Sequence, residues 1–352
     1  MERDYWPTKL WRTAAPAALG VNEEKLTGLD NMIKSGYGNI NGIVVVHKGQ
    51  IIFERYYHGY GPEDPHHVAS VTKSIISALI GVAINAAQIK SVEEKVLDYF
   101  PEYSASLAVM KRAVTIRHLL TMTAPFPFSW KTGGRGGQEP LDRLRRQRDW
   151  VKYTLDLLGQ KGQLGQFQYC TAGTHLLSAI ITRVTGKCAR EYANEHLFRP
   201  LGMSEIPDHQ SNSFGLDDVF GKNVTGWVKD PDGNTAGGWG LTMTPRDMAR
   251  FGFLYLNDGF WENTQVITRE WVDESTAMNA NQYGYLWWLR EEGGGFSFSA
   301  LGSGGNVICC VPKKDLVVAI ASKIISKPQD RWPLIEKCII PALDKIKCAE
   351  IR

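Results

Sequence analysis

The hydrophobic pattern of this chain changes period several times, and each change marks an element. Residues 22–36 place apolar side chains at helical spacing among polar ones. Asn22 suits the N-cap and Gly36 the stop, so an amphipathic helix is predicted there. The pattern then turns to β-branched and aromatic runs, Ile43–Val46 and Ile51–Tyr57, around Lys48-Gly49, which is a hairpin signal. A loop at Gly59–Pro65 leads to Ser70. Behind it Ser74–Ile84 is almost wholly apolar and small, the composition of a buried helix. Residues 85–205 read as mostly helical with long loops. Within them 124–137 combines proline, aromatics and glycines, and suits either a lid or a plain surface loop. Thr244 as N-cap, Pro245 at the first helical position and Asp247 in the first turn predict a helix to about Asn257. Phe296–Leu301, Asn306–Val311 and Leu316–Ala321 read as strands, and 328–346 as a closing helix.

Strands at both ends and helices between them imply an α+β fold, with a mixed sheet built from both chain ends. A single unit is expected over 1–352. Its α/β lobe takes about 1–84 plus 206–352, and a helical lobe takes about 85–205.

Composition narrows the class. The chain has 352 residues, 43% of them hydrophobic, enough for a sizeable core. A formal charge of +3 is too small to indicate nucleic acid or a membrane surface as partner. The one basic cluster, Arg143, Arg145, Arg146 and Arg148, sits between Asp142 and Asp149 and reads as a solvated helix face. No apolar run reaches the roughly 18 residues of a spanning helix. The start, Met1–Pro7, shows no apolar signal region, so a cytoplasmic location is expected. Six cysteines without C-x-x-C or zinc spacing are then expected to be reduced and mostly buried. No metal or cofactor is indicated.

Ser70-Val71-Thr72-Lys73 carries the candidate chemistry. It is the single S-x-x-K of the chain, and it stands at the start of a helical run. Residues at i and i+3 share one helix face. A serine is a weak nucleophile until a base takes its proton, and a lysine held beside it can serve. Its alternative reading is a helix start with a solvated lysine. Proton transfer onward needs another group, and a phenol beside an ammonium is pushed toward phenolate. Three tyrosines compete: Tyr37, Tyr169 and Tyr192. Tyr169 stands at a loop–helix junction, where a side chain can point into a cleft, and is preferred. Gly302-Ser303-Gly304-Gly305-Asn306 opens a strand, and glycines there let backbone approach a ligand and aim an N–H at an oxyanion.

With these elements in order, the chain resembles the serine β-lactamase/penicillin-recognising superfamily. The resemblance is to its class C branch of family VIII esterases, D-aminopeptidase-like enzymes and 6-aminohexanoate-dimer hydrolases. Thr115–Thr123, Phe198–Met203 and Gly237–Gly252 match further segments of that family. The resemblance implies an antiparallel sheet flanked by helices, with Ser70 as acylated nucleophile and Lys73 and Tyr169 sharing the acid–base work. It implies an oxyanion hole from the N–H groups of Ser70 and Asn306. It places Thr171, Ser303, Gly304 and Gly305 at the substrate. The chain departs from the family at two places. Thr171 stands where Asn is frequent, and Ser303 where a Lys or His is expected. A neutral hydroxyl in place of a charge-assisted hydrogen bond costs about 1.5–3 kcal/mol, so small neutral esters, amides or peptide-like molecules are expected over penicillins. The rival reading is a non-catalytic binding protein that keeps the penicillin-recognising pocket.

Overall fold

The computed structural model describes residues 3–106, 109–127, 141–211, 213–292 and 295–343. The expected segments at 128–140 and 344–346, with most of the suggested lid, lie outside these residues. Asn22 caps helix α1 (Glu23–Gly36) by accepting the Lys25 N–H at 3.2 Å. Strands β1 (Ile40–His47) and β2 (Gln50–Tyr56) form the first hairpin. Its turn residues Lys48 and Gly49 hold φ of 51° and 76°, as a tight hairpin turn demands. Helix α2 is Thr72–Asn85, α3 is Thr171–Thr185 and α4 is Pro245–Leu256; the Thr244 hydroxyl caps α4 through the Asp247 N–H. The tail supplies β3 (Trp288–Glu292), β4 (Gly295–Gly302), β5 (Asn306–Val311) and β6 (Leu316–Ser322), followed by helical residues 332–342.

The six strands lie in the order β2-β1-β6-β5-β4-β3, and every neighbouring pair is antiparallel. The sheet is therefore antiparallel rather than mixed: four of its five contacts are hairpins, and the fifth, β1 on β6, joins the two chain ends. This explains why the inner strands read as continuous apolar runs. Val44 and Val46 of β1, Ile308 and Cys310 of β5, and Val317 and Ala319 of β6 enter the core shared with α2, α3 and α4. Their neighbours Ile43, Val45, Val307, Cys309, Leu316 and Val318 enter a second core with α1 and residues 334–342. Side chains alternate faces along a strand, so both faces must be apolar when both are covered. Each Val or Ile buried this way contributes about 1.5–3 kcal/mol.

Helix α2 is buried on all sides from Thr72 to Ala83, between sheet and helical residues, which matches its lack of a polar face. The turn that leads into its N-terminus meets a cavity.

Candidate active site

Ser70 stands in a single turn, Ala69–Val71, that feeds α2. The turn is held from three sides. The Val68 N–H donates to Leu241 O at 3.0 Å, Thr72 Oγ1 donates to Ala69 O at 2.7 Å, and the Ala69 N–H donates to His67 Nδ1 at 3.1 Å. Ala69 is left-handed, with φ of 51°, an unusual conformation for a residue with a Cβ. His67 must keep Nδ1 unprotonated to accept that bond. Burial pushes both His67 and its neighbour His66 down to about 4, so both are neutral near pH 7.

One turn along, Lys73 is 1% exposed, and its Nζ has two bonds, 2.9 Å to Ser70 Oγ and 3.0 Å to Gly238 O. A backbone carbonyl thus fixes the lysine against the serine. Gly238 is required there, because a Cβ would lie 2.3 Å from Thr171 Cγ2. The Gly237–Gly240 stretch was visible in the sequence, but nothing in it signalled a partner for Lys73.

Of the three candidate tyrosines, the structure brings only Tyr169 to the pair: Lys73 Nζ lies 5.0 Å from its ring centroid. Its ring stacks on Trp288 at 5.8 Å and meets Tyr283 edge-on at 6.2 Å. Tyr192 instead donates to Gln88 Oε1 at 2.7 Å, and Tyr37 packs in the core on the far side of the sheet. The aromatic stretch from Tyr283 to Trp288 divides between core and cavity. Tyr283, Tyr285 and Trp287 are core, while Trp288 faces the site.

Ser70, Tyr169, Thr171 and Ser303 line one cavity of about 410 Å³, together with Phe220, Trp239, Trp288, Leu301 and Ile324. Gly302, at the end of β4, packs on the Ser70 turn so closely that a Cβ would sit 2.2 Å from Val68 O. The N–H groups of Ser70 and Ser303 make no hydrogen bond to any described residue.

The strand opening is arranged differently from the expected placement. Asn306 does not line this cavity. It is fully enclosed, pairs with Gly302 across the hairpin, donates from Nδ2 to Ser303 O at 2.8 Å and accepts the Ser322 N–H at 2.9 Å. Its side chain braces the turn, and the residue bordering the Ser70 cavity is Ser303. Gly304 and Gly305 also turn away: a Cβ on Gly304 would meet Ile324 and Lys323, and one on Gly305 would meet the Arg331 guanidinium. Both glycines line a further cavity of about 520 Å³, which shares Trp288, Leu301, Gly302 and Ser303 with the Ser70 cavity. Both hold φ of 86°, and this tight reversal rotates the later turn residues off the site.

Sheet, buried α2 and the Ser–Lys corner together define a β-lactamase-like α+β protein. The chain belongs to the Beta-lactamase family, whose model matches residues 29–331. It is 24% identical over 322 residues to the 6-aminohexanoate-dimer hydrolase of Paenarthrobacter ureafaciens, covering 85% of this chain and 76% of that one. Among solved structures, a Bacillus anthracis protein assigned as a 6-aminohexanoate-dimer hydrolase superposes with a TM-score of 0.72 at 21% identity, over 95% of this chain and 87% of that one. EstCE1, a hydrolase with promiscuous acyltransferase activity, superposes with a TM-score of 0.67 at 17% identity, over 93% of this chain and 99% of that one. Among the described residues no helix is long and apolar enough to cross a membrane.

Proposed function

We propose that this chain is a serine hydrolase that forms an acyl-enzyme on Ser70 and cleaves small esters or amides that are uncharged beside the scissile carbonyl. The observation that carries the reading is the 2.9 Å contact between Lys73 Nζ and Ser70 Oγ, in a corner that also holds Tyr169.

The steps balance with these residues alone. Ser70 Oγ bonds to the carbonyl carbon as its proton passes to the Lys73–Tyr169 pair. The carbonyl electrons move to oxygen, which the N–H groups of Ser70 and Ser303 receive. Such donors are each worth about 10²–10³ in rate. Collapse breaks the bond to the alcohol or amine, which leaves with the proton. Water then attacks the acyl-enzyme with the same groups in reverse, releasing the acid and restoring Ser70. Assigning the second donor to Ser303 rather than Asn306 is supported by Ser303's place on the cavity wall and by its N–H having no acceptor among the described residues.

The substrate class is supported by the lining, which holds no ionised side chain among the described residues. A carboxylate adjoining the scissile bond, as in a penicillin, finds no cationic partner among the described lining residues. The test is a panel of short p-nitrophenyl esters, small amides and a chromogenic cephalosporin, run beside Ser70→Ala. Ester hydrolysis that vanishes in the variant supports the reading. Binding without turnover by wild-type protein supports the non-catalytic alternative.

A further inference from the structure

Next to the Ser70 cavity lies a second one, of about 770 Å³, lined by Lys222, Lys323, Lys327, Asn39, Asn41 and Tyr60 among others. No Asp or Glu is among its described lining residues. None of the three lysines has an ion pair or a side-chain hydrogen bond to a described residue. The whole chain carries a formal charge of only +3, so three exposed lysines around one hollow with no acidic lining residue are a marked local concentration.

No residue lines both cavities, but at two places residues close in the chain line one and the other. Phe220 faces the Ser70 cavity and Lys222, two residues on, faces the basic one. Ile324 faces the Ser70 cavity, while its neighbours Lys323 and Ile325 face the basic one. The Lys323 backbone is fixed at that ridge: its N–H donates to Asn39 O at 2.8 Å and its O accepts Asn39 Nδ2 at 2.8 Å. Asn39 Nδ2 also donates to Gly304 O at 2.7 Å, and Asn39 Oδ1 accepts from Arg331 at 2.6 Å. The ridge is therefore tied to the same turn that brings Ser303 to Ser70.

We propose that the basic cavity receives an anionic group at the far end of the substrate, so that the preferred ester or amide carries a distal carboxylate across the Phe220–Ile324 ridge. This inference rests on the hydrolase reading and names its substrate class. The scissile carbonyl stays at the aromatic-walled Ser70 cavity, and the charge is met on the other side of the 323–325 backbone. A tail too short to cross the ridge gains nothing. The preference therefore depends on chain length, which general attraction of anions by a basic surface does not.

The experiment compares p-nitrophenyl esters of straight-chain acids with the half-esters of dicarboxylic acids of matched length. At intermediate lengths the half-ester is favoured in kcat/KM by about tenfold or more, the size of one charge-assisted hydrogen bond. The effect falls mainly on KM, and the shortest pair shows no preference. In Lys222→Glu/Lys323→Glu the ratio of half-ester to neutral ester drops by at least that factor, and added salt lowers it in wild type. Equal rates at every length, or a ratio that survives the double charge reversal, overturns the proposal. A second arm uses the Ser70→Ala protein and calorimetry with the free dicarboxylates, so the site is tested even without turnover. Binding weakened by the lysine changes supports the site, and equal binding with and without them overturns it. Neutral esters cleaved with no anionic preference refute this inference alone, whereas dicarboxylate binding without any cleavage refutes the hydrolase reading alone.

Discussion

The Ser70 cavity and the lysine cavity differ in almost every physical respect. The first is walled largely by aromatic and apolar side chains, and its polar groups are held by neighbours: Lys73 by Gly238 O, the Ser70 turn by His67 and Leu241. The second is open and basic, with its charges on exposed stems. The contrast separates two tasks. A nucleophile needs fixed geometry in surroundings where its hydrogen bonds are strong. Recognition of a charged tail needs only cations within reach.

The comparison breaks first at the nucleophile. Ser70→Ala lowers kcat for any ester by on the order of 10⁴-fold or more, while leaving the lysine cavity able to bind anions; a stopped assay with both ligands checks it. Tyr169→Phe keeps the stack on Trp288 but removes the phenolic oxygen, and kcat falls by about 10²–10⁴ with little change in KM. Near-wild-type kcat in that variant would send the proton by another route. Gly302→Ala drives a methyl into Val68 O, shifting the turn from Ser70. We expect kcat lower by about 10² and stability lower by about 1–3 kcal/mol, read from steady-state kinetics and a melting curve. A smaller effect concerns substrate: a short neutral ester exceeds a chromogenic cephalosporin in kcat/KM by roughly 10–100-fold. The reverse order would show that Ser303 does not set specificity.

The mildest test is pH. His66 and His67 are held near 4 in the fold, against an ordinary 6.5. Between those values the unfolded chain binds protons that the fold refuses, so stability is full above about 6.5 and is lost as pH falls toward 4. Protonated His67 also ceases to accept the Ala69 N–H. Calorimetric melting temperatures should therefore decline over that window, and His67→Gln should flatten the decline.

Local chemistry was legible in the sequence wherever a few adjacent residues decide it. The Asn22 and Thr244 caps, the Lys48-Gly49 turn and the Ser70–Lys73 spacing each follow from short-range rules, and each is present. Tyr169 was separable from Tyr37 and Tyr192 only as the one at a loop–helix junction. Register within a turn was not legible. Two left-handed glycines rotate Asn306 away and leave Ser303 at the wall, and no periodicity reports such a rotation. Gly238 O was hidden because a backbone acceptor has no residue signature. Lys222 and Lys323 were hidden because a hundred residues separate two side chains that face one hollow.

The central claim, that Ser70 is an activated nucleophile, is tested most directly by labelling folded protein with a fluorophosphonate and mapping the adduct by mass spectrometry. One adduct per chain on the peptide containing Ser70, absent in Ser70→Ala and greatly slowed in Lys73→Ala, is the predicted result. Folded wild-type protein that stays unlabelled, or that labels on another residue, would contradict it.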